Sequence, residues 1–241
     1  MSSHNRSRIL VALDCNSLHT AYSIAEPLRG MVGFKVGLEL NTAVGTANVV
    51  GAIGKDVFLD LKFHDIPNTG ANAVKAAALH RVRMLNVHCM GGKTMMQAAR
   101  TAADEVFVGT KVYRPLVIGV TILTSHDRAS LADIGIDPTL SMEKIVGKLA
   151  ILAAESGLDG IVCSPREIAI VRKAVCDDTF IIVTPGIRSR GAKPDDQKRT
   201  MTAREAVDLG ADYLVIGRPI TEAPDPVAAT KEFLEEITLD M

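Results

Sequence analysis

The sequence predicts a (β/α)8 TIM barrel, and three observations indicate this fold class. Eight short apolar runs are spread along the 241 residues, and each is followed by a segment with helical spacing. Several of the runs are continuously apolar, which is typical of parallel strands buried on both faces. No Ser/Gly-rich linker or shift in composition divides the chain, so we expect a single barrel domain over residues 1–241.

The predicted strands end where apolar runs change to polar or turn-forming residues. In chain order they are Ile9–Leu13, Gly33–Val36, Asp56–Leu61, Met84–His88, Leu116–Thr121, Gly160–Cys163, Phe180–Thr184 and Tyr213–Ile216. A doubly wound open sheet would need fewer strands or a second domain. Eight βα units in a chain of about 250 residues therefore favour the closed barrel.

The helices between these strands carry recognisable start and stop signals. The first follows a spacing of three and four from Leu18 onward, and Gly30 is its predicted stop. Ser164 and Thr202 each begin a capping box, with a glutamate at the third following position. Asp225, followed by proline, begins the last helix in the same way.

Composition argues against several classes of function. Lys and Arg total 27 against 28 for Asp and Glu, and no basic stripe of the kind found in nucleic-acid binders is visible. Aromatic residues make up 4% and Trp is absent, so stacking platforms for single strands are not expected. No apolar run approaches the ~18 residues of a membrane span. The run Ile9–Leu13 is too short for a signal-peptide core. We expect neither a nucleic acid nor a membrane as partner.

The four cysteines, at positions 15, 89, 163 and 176, form no CxxC pair. This spacing argues against a zinc site or a disulfide framework, so we expect reduced thiols and a cytoplasmic location. No pattern for a metal or an organic cofactor is evident, and we expect none.

Charged residues fall at the ends of the predicted strands, where a barrel builds its active site. Asp14 follows the first strand, Lys35 lies near the end of the second, and Asp60 and Lys62 lie at the end of the third. A buried charge must be paired, so we expect Lys35, Asp60 and Lys62 to lie together and neutralise one another. Asp60 and Lys62 are two positions apart, which on a strand places them on one face. Asp65 lies beyond that strand, in the turn before a helix.

The block from Asp60 to Thr69, DLKFHDIPNT, resembles the DxKxxD signature of the orotidine 5′-phosphate decarboxylase family and its continuation. The resemblance extends along almost the whole chain, through the segments ALD, FKVG, LTS, TPGIR and GRPI near the ends of the first, second, fifth, seventh and eighth strands. It implies a carbon–carbon lyase that converts orotidine 5′-phosphate to UMP and CO2 without a cofactor. That reaction is the last step of de novo pyrimidine nucleotide biosynthesis.

The resemblance also implies roles for individual residues. Lys62 would stabilise the carbanion at C6 of the pyrimidine and protonate it, because a preorganised cation is the largest stabilisation a protein can offer there. Asp60 and Asp65 would hold Lys62, and Lys35 would complete a network of alternating charge. The substrate-binding residues that it implies are Asp14, Lys35, Ile66, Thr69, Thr124, Pro185, Arg188, Gln197, Gly217 and Arg218.

Phosphate binding is expected after the seventh and eighth strands, the usual location in barrels. Gly217 permits close approach of the backbone, and Arg218 follows it. The polar segment 189–197, which contains Gly and Pro, is expected to act as a lid. The resemblance implies that Gln197 reaches the phosphate when this lid closes.

The resemblance further implies a homodimer with sites at its interface. Asp65 and Thr69 would reach into the neighbouring subunit's site, while Asp60 and Lys62 serve their own. A two-fold dimer would then use one patch twice and build two shared sites.

Two other functions remain open. Enzymes such as 3-keto-L-gulonate 6-phosphate decarboxylase and hexulose-phosphate synthase share DxKxxD but use Mg²⁺ and an enediolate. The IPNT continuation and Gln197 argue against them. A non-catalytic phosphate-binding module is the other possibility, and charges at several strand ends argue against it.

Overall fold

Eight parallel strands form a closed barrel in sequence order. The computed structural model describes residues 7–188 and 201–238. Its strands are β1 (Ile9–Ala12), β2 (Gly33–Val36), β3 (Val57–Phe63), β4 (Met84–His88), β5 (Leu116–Val120), β6 (Gly160–Val162), β7 (Ile181–Thr184) and β8 (Tyr213–Ile216). Each strand pairs with the next, and β8 closes on β1. The predicted (β/α)8 barrel is confirmed, whereas the domain bounds 1–241 stay a prediction.

Helices follow the strands around the barrel. They are α1 (Leu18–Ala25), α2 (Leu38–Val44), α3 (Thr46–Ile53), α4 (Pro67–Ala78), α5 (Gly92–Glu105), α6 (Arg128–Asp133), α7 (Met142–Glu155), α8 (Ile168–Val175), α9 (Ala203–Asp208), α10 (Arg218–Thr221) and α11 (Pro226–Thr238). Within the two described ranges, no helix has the length and apolar character that crossing a membrane requires.

The capping residues make the contacts that the sequence predicts. The amide of Ser164 donates to Glu167 Oε2 at 2.9 Å, and the amide of Thr202 donates to Glu205 Oε2 at 3.0 Å. Asp225 Oδ1 accepts from the first amides of α11. The predicted first helix differs in one respect, because α1 ends at Ala25 and a 3-10 turn containing a proline follows it.

Apolar side chains fill two separate regions. The larger one lies between the strands and the helices and includes Met95 and Met96, neither of which is exposed. The smaller one joins side chains from five strands, and one of them, Phe58, also lines the cavity described below. This second cluster therefore fills the barrel interior beneath that cavity. Its buried members are Leu10, Phe58, Met84, Ile118 and Val183.

Candidate active site

A cavity of about 460 Å³ opens at the carboxyl ends of the strands. Most of the residues singled out in the sequence line it, and they come from strand ends and loops that are far apart in the chain. Those residues are Asp14, Lys35, Asp60, Lys62, Thr124, Pro185, Arg188, Gly217 and Arg218. The barrel thus gathers most of the predicted site into one pocket, as its parallel topology requires.

Three predicted residues lie elsewhere. Asp65 and Ile66 are exposed in the turn after β3, and Thr69 is exposed in the first turn of α4; none of the three lines the cavity of its own chain. Asp65 Oδ1 accepts the amide of Ile66 at 2.7 Å, which fixes the turn. Gln197 and the lid segment 189–197 lie outside the described residues.

An ion pair at the end of β3 forms the centre of the pocket. Lys62 Nζ lies 2.7 Å from Asp60 Oδ1, and both side chains are largely buried. Both residues lie within β3 and line the same cavity, as the spacing of two predicts. The strand is irregular at this point, which the sequence did not predict: Lys62 has a left-handed backbone with a φ of 52°, and the register of β3 against β4 shifts between Leu59 and Phe63.

A second ion pair joins the first two strands. Lys35 Nζ donates to Asp14 Oδ1 at 2.5 Å; the lysine side chain is 9% exposed and the aspartate 63%. Lys35 stands opposite Ala12 in the β1–β2 register, so its side chain reaches Asp14, the second residue beyond the end of β1. A Cβ on Gly37 would lie 3.3 Å from this Nζ and 3.4 Å from this Oδ1, so a glycine there leaves room for the pair.

Lys35 has a partner that the sequence reasoning did not predict. Within the described part of the chain, no ion pair or hydrogen bond joins Lys35 to Asp60. The ammonium of Lys35 is held by Asp14, because the register of β1 against β2 brings that carboxylate within reach. One chain thus supplies two lysine–aspartate pairs to the pocket, and the network of Lys35, Asp60, Lys62 and Asp65 stays a prediction, because Asp65 is expected from a second subunit.

Asn86 is a part of the site that the sequence reasoning missed. It lies in β4 with no exposed surface. Its Oδ1 accepts the backbone amide of Lys62 at 2.7 Å, and its Nδ2 donates to Asp60 Oδ1 at 2.7 Å. The available signal was a polar residue in the middle of the apolar strand MLNVH.

Two histidines lie next to this group. The rings of His64 and His88 are 5.4 Å apart. Burial lowers the pKa of His88 from its ordinary value, electrostatic interactions with His64 and Lys62 lower it further, and Asp60 opposes the shift. His88 is therefore neutral at neutral pH and adds no second positive charge beside Lys62.

Arginines supply positive charge on another part of the rim. Arg188 follows β7 and Arg218 begins α10 directly after β8, and both line the cavity. Gly217, between β8 and Arg218, also lines it. This side of the pocket suits an anionic group.

Within residues 7–188 and 201–238, no three His, Cys, Asp or Glu side chains converge as ligands of a metal ion would. All four cysteines are free thiols. Cys163 lines the cavity, and burial raises the pKa of its thiol well above the ordinary value.

A closed (β/α)8 barrel with charged side chains gathered around one cavity at its carboxyl end has the architecture of a barrel enzyme. The model of the family described as "Orotidine 5′-phosphate decarboxylase / HUMPS family" matches residues 7–233. The chain belongs to this family.

Similar proteins cover nearly the whole chain. A protein of Moorella thermoacetica named orotidine 5′-phosphate decarboxylase is 49% identical over 240 residues, covering 98% of this chain and 94% of its own. A protein of Geobacter sulfurreducens with the same name is 48% identical, covering 96% of each chain. The crystal structure of orotidine 5′-phosphate decarboxylase from Lactobacillus acidophilus matches with a TM-score of 0.83 and 34% identity, covering 95% of this chain and 98% of its own.

Proposed function

We propose that the chain is a carbon–carbon lyase that decarboxylates orotidine 5′-phosphate to UMP and CO2, the last step of de novo pyrimidine nucleotide biosynthesis. Membership of the family supports this, as do relatives of that name that match it from end to end. The observation that carries the proposal is the ion pair of Lys62 with Asp60 inside the cavity at the strand ends.

The chemistry needs a cation held in place before the reaction begins. The bond from C6 of the pyrimidine to the carboxyl carbon breaks, CO2 leaves, and the electron pair stays on C6 in an orbital in the plane of the ring. The ring π system cannot delocalise that pair. Lys62, held by Asp60, supplies a fixed positive charge beside it. The same ammonium then donates a proton to C6, giving UMP, and Lys62 regains a proton from solvent.

The second ion pair has a binding role in this proposal. Asp14 is the more exposed partner of Lys35, and its carboxylate faces the cavity. A carboxylate is a strong acceptor for the ribose hydroxyls. Lys35 fixes the position of that carboxylate.

The two arginines hold the phosphate. Arg188 and Arg218 lie at the ends of β7 and β8, which are separated from β3 by β1 and β2 around the barrel. Binding energy gained so far from C6 accelerates the reaction only when it orients the pyrimidine or closes the site. Gln197 would join the phosphate on closure.

The proposal includes a homodimer with shared sites. Asp65 and Thr69 are exposed and do not line the cavity of their own chain, which suits side chains that serve a neighbour. Independence of a cofactor and a cytoplasmic location stay predictions from the sequence.

An absorbance assay for loss of orotidine 5′-phosphate tests the proposal. We expect turnover that survives EDTA and is abolished in Lys62→Ala, while that variant still binds UMP, because Lys62 acts on the transition state and the ribose and phosphate contacts lie elsewhere. Activity lost with EDTA would support the Mg²⁺-dependent alternative. Binding of UMP without turnover in the unmodified protein would support a phosphate-binding module.

A further inference from the structure

One buried side chain of β4 contacts both partners of the Lys62–Asp60 pair. Asn86 accepts the backbone amide of Lys62 and donates to the carboxylate of Asp60, each at 2.7 Å. The Asn86 side chain is fully buried, so its amide atoms are shielded from bulk water.

The hydrogen bond to Lys62 satisfies the backbone where the strand is irregular. The register shift between β3 and β4 contains Lys62, whose φ of 52° lies outside the strand region. A backbone amide buried without an acceptor costs free energy comparable to a lost hydrogen bond. Asn86 Oδ1 supplies the acceptor and so stabilises the backbone conformation from which the Lys62 side chain projects.

The hydrogen bond from Asn86 to Asp60 fixes the position of the Asp60 carboxylate. Asp60 Oδ1 accepts from Asn86 Nδ2 and from Lys62 Nζ, both at 2.7 Å. An uncharged amide offers one acceptor and one donor for these two tasks. An aspartate at position 86 would instead place a second carboxylate against Asp60.

We propose that Asn86 is the positioning residue of the Lys62–Asp60 pair. It fixes the backbone of the lysine and the carboxylate of the aspartate together, so that the ammonium is held at one point beside the reacting carbon. This inference rests on the proposed decarboxylase function, in which that ammonium faces C6.

The variant Asn86→Ala removes both hydrogen bonds. With sites counted by UMP binding, we expect kcat for orotidine 5′-phosphate to fall by about 100-fold or more, since a misplacement of about 1 Å has effects of that size. KM and the Kd of UMP should stay within about threefold of the parent values, because the ribose and phosphate contacts are untouched.

A matched control is Ser156→Ala. Ser156 is 5% exposed, and its hydroxyl donates to the carbonyl of Leu152 at 2.6 Å at the end of α7. This variant also loses a buried hydrogen bond, but it does not line the cavity. Its Tm should fall while its kcat stays at the parent value.

The variant Asn86→Asp separates positioning from a purely structural role. Its carboxylate repels Asp60 when charged, whereas its protonated form can donate to Asp60 as the amide does. The ratio of its kcat to that of the parent should therefore rise as pH falls. The same ratio for Asn86→Ala should stay constant with pH.

Parent-like kcat per UMP-binding site in Asn86→Ala would overturn the inference, and a pH-independent ratio for Asn86→Asp would do the same. If Asn86→Ala does not fold, the pH dependence of kcat in Asn86→Asp tests the inference. A parent protein without turnover would reject the proposed function instead. In that case a crystal structure of whichever Asn86 variant folds would test the inference about Asn86. A distance from Lys62 Nζ to Asp60 Oδ1 beyond about 4 Å would support a positioning role. An intact ion pair would overturn it.

Discussion

Among single residues, Arg218 is the one whose substitution best separates phosphate binding from the chemical step. It lies at the end of β8, on a part of the rim that Lys62 does not occupy. We expect Arg218→Ala to lower kcat/KM for orotidine 5′-phosphate by roughly thirtyfold, since a hydrogen bond to a charged group contributes about 2 kcal/mol. Orotidine, which lacks the phosphate, should react equally with the variant and the parent. A large difference with orotidine would assign Arg218 another role.

The residues that could be predicted from the sequence share one property. Asp60, Lys62 and Arg218 lie at strand ends, and strand ends are visible in a single sequence as changes from apolar to polar. The contacts that could not be predicted depend on the register between strands. Whether Lys35 meets Asp14 or Asp60, and whether Asn86 reaches Lys62, is decided by how neighbouring strands align, which no local pattern records.

Strands β6 and β7 approach so closely that one position tolerates glycine alone. A Cβ added at Gly160 would lie 2.1 Å from the carbonyl oxygen of Ile181, its partner in the β6–β7 register. We expect Gly160→Ala to destabilise the protein by about 1–3 kcal/mol or more, because the backbone of β7 would have to move. Chemical denaturation followed by circular dichroism measures this change in the free energy of unfolding.

The matched control lies on the outside of the barrel. Gly51 is in α3, and a Cβ there would meet nothing within 4 Å. Gly51→Ala should stabilise the protein by about 0.5–1 kcal/mol, since alanine restricts the unfolded chain and favours helix. Equal stability of Gly160→Ala and the parent would mean that β6 and β7 can separate at low cost.

The positions of the strands and helices were more predictable from the sequence than the irregularities within them. The strands were visible as apolar runs, and their observed ends differ from the predicted ones by no more than two positions. The capping box at Thr202 is local and formed as expected, and at Ser164 the Glu167 carboxylate caps the backbone amide. The irregular end of β3 at Lys62 was not visible, because a left-handed lysine has no signature in sequence.

At the scale of the whole molecule, we predict a homodimer whose two sites are shared between the subunits. If Asp65 serves the neighbouring site and Lys62 its own, mixing the inactive variants Lys62→Ala and Asp65→Ala should restore activity. A hybrid dimer holds one site with both substitutions and one with neither. Random reassortment makes about half of the dimers hybrids, so roughly a quarter of the parent activity should return. A mixture that stays inactive although mass spectrometry shows subunit exchange would mean that both residues act in one subunit.

The left-handed backbone of Lys62 lowers stability at the position where the proposed function needs a lysine. A side chain other than glycine in this region costs on the order of 1–2 kcal/mol, and Lys62 has a φ of 52°. Both Lys62→Gly and Lys62→Ala lose the ammonium, so their comparison isolates the backbone. The glycine variant should be the more stable by about 1 kcal/mol in denaturant titrations, although neither decarboxylates. A lysine at this position is therefore less favourable for stability than a glycine, and the proposed role of its ammonium accounts for its presence there.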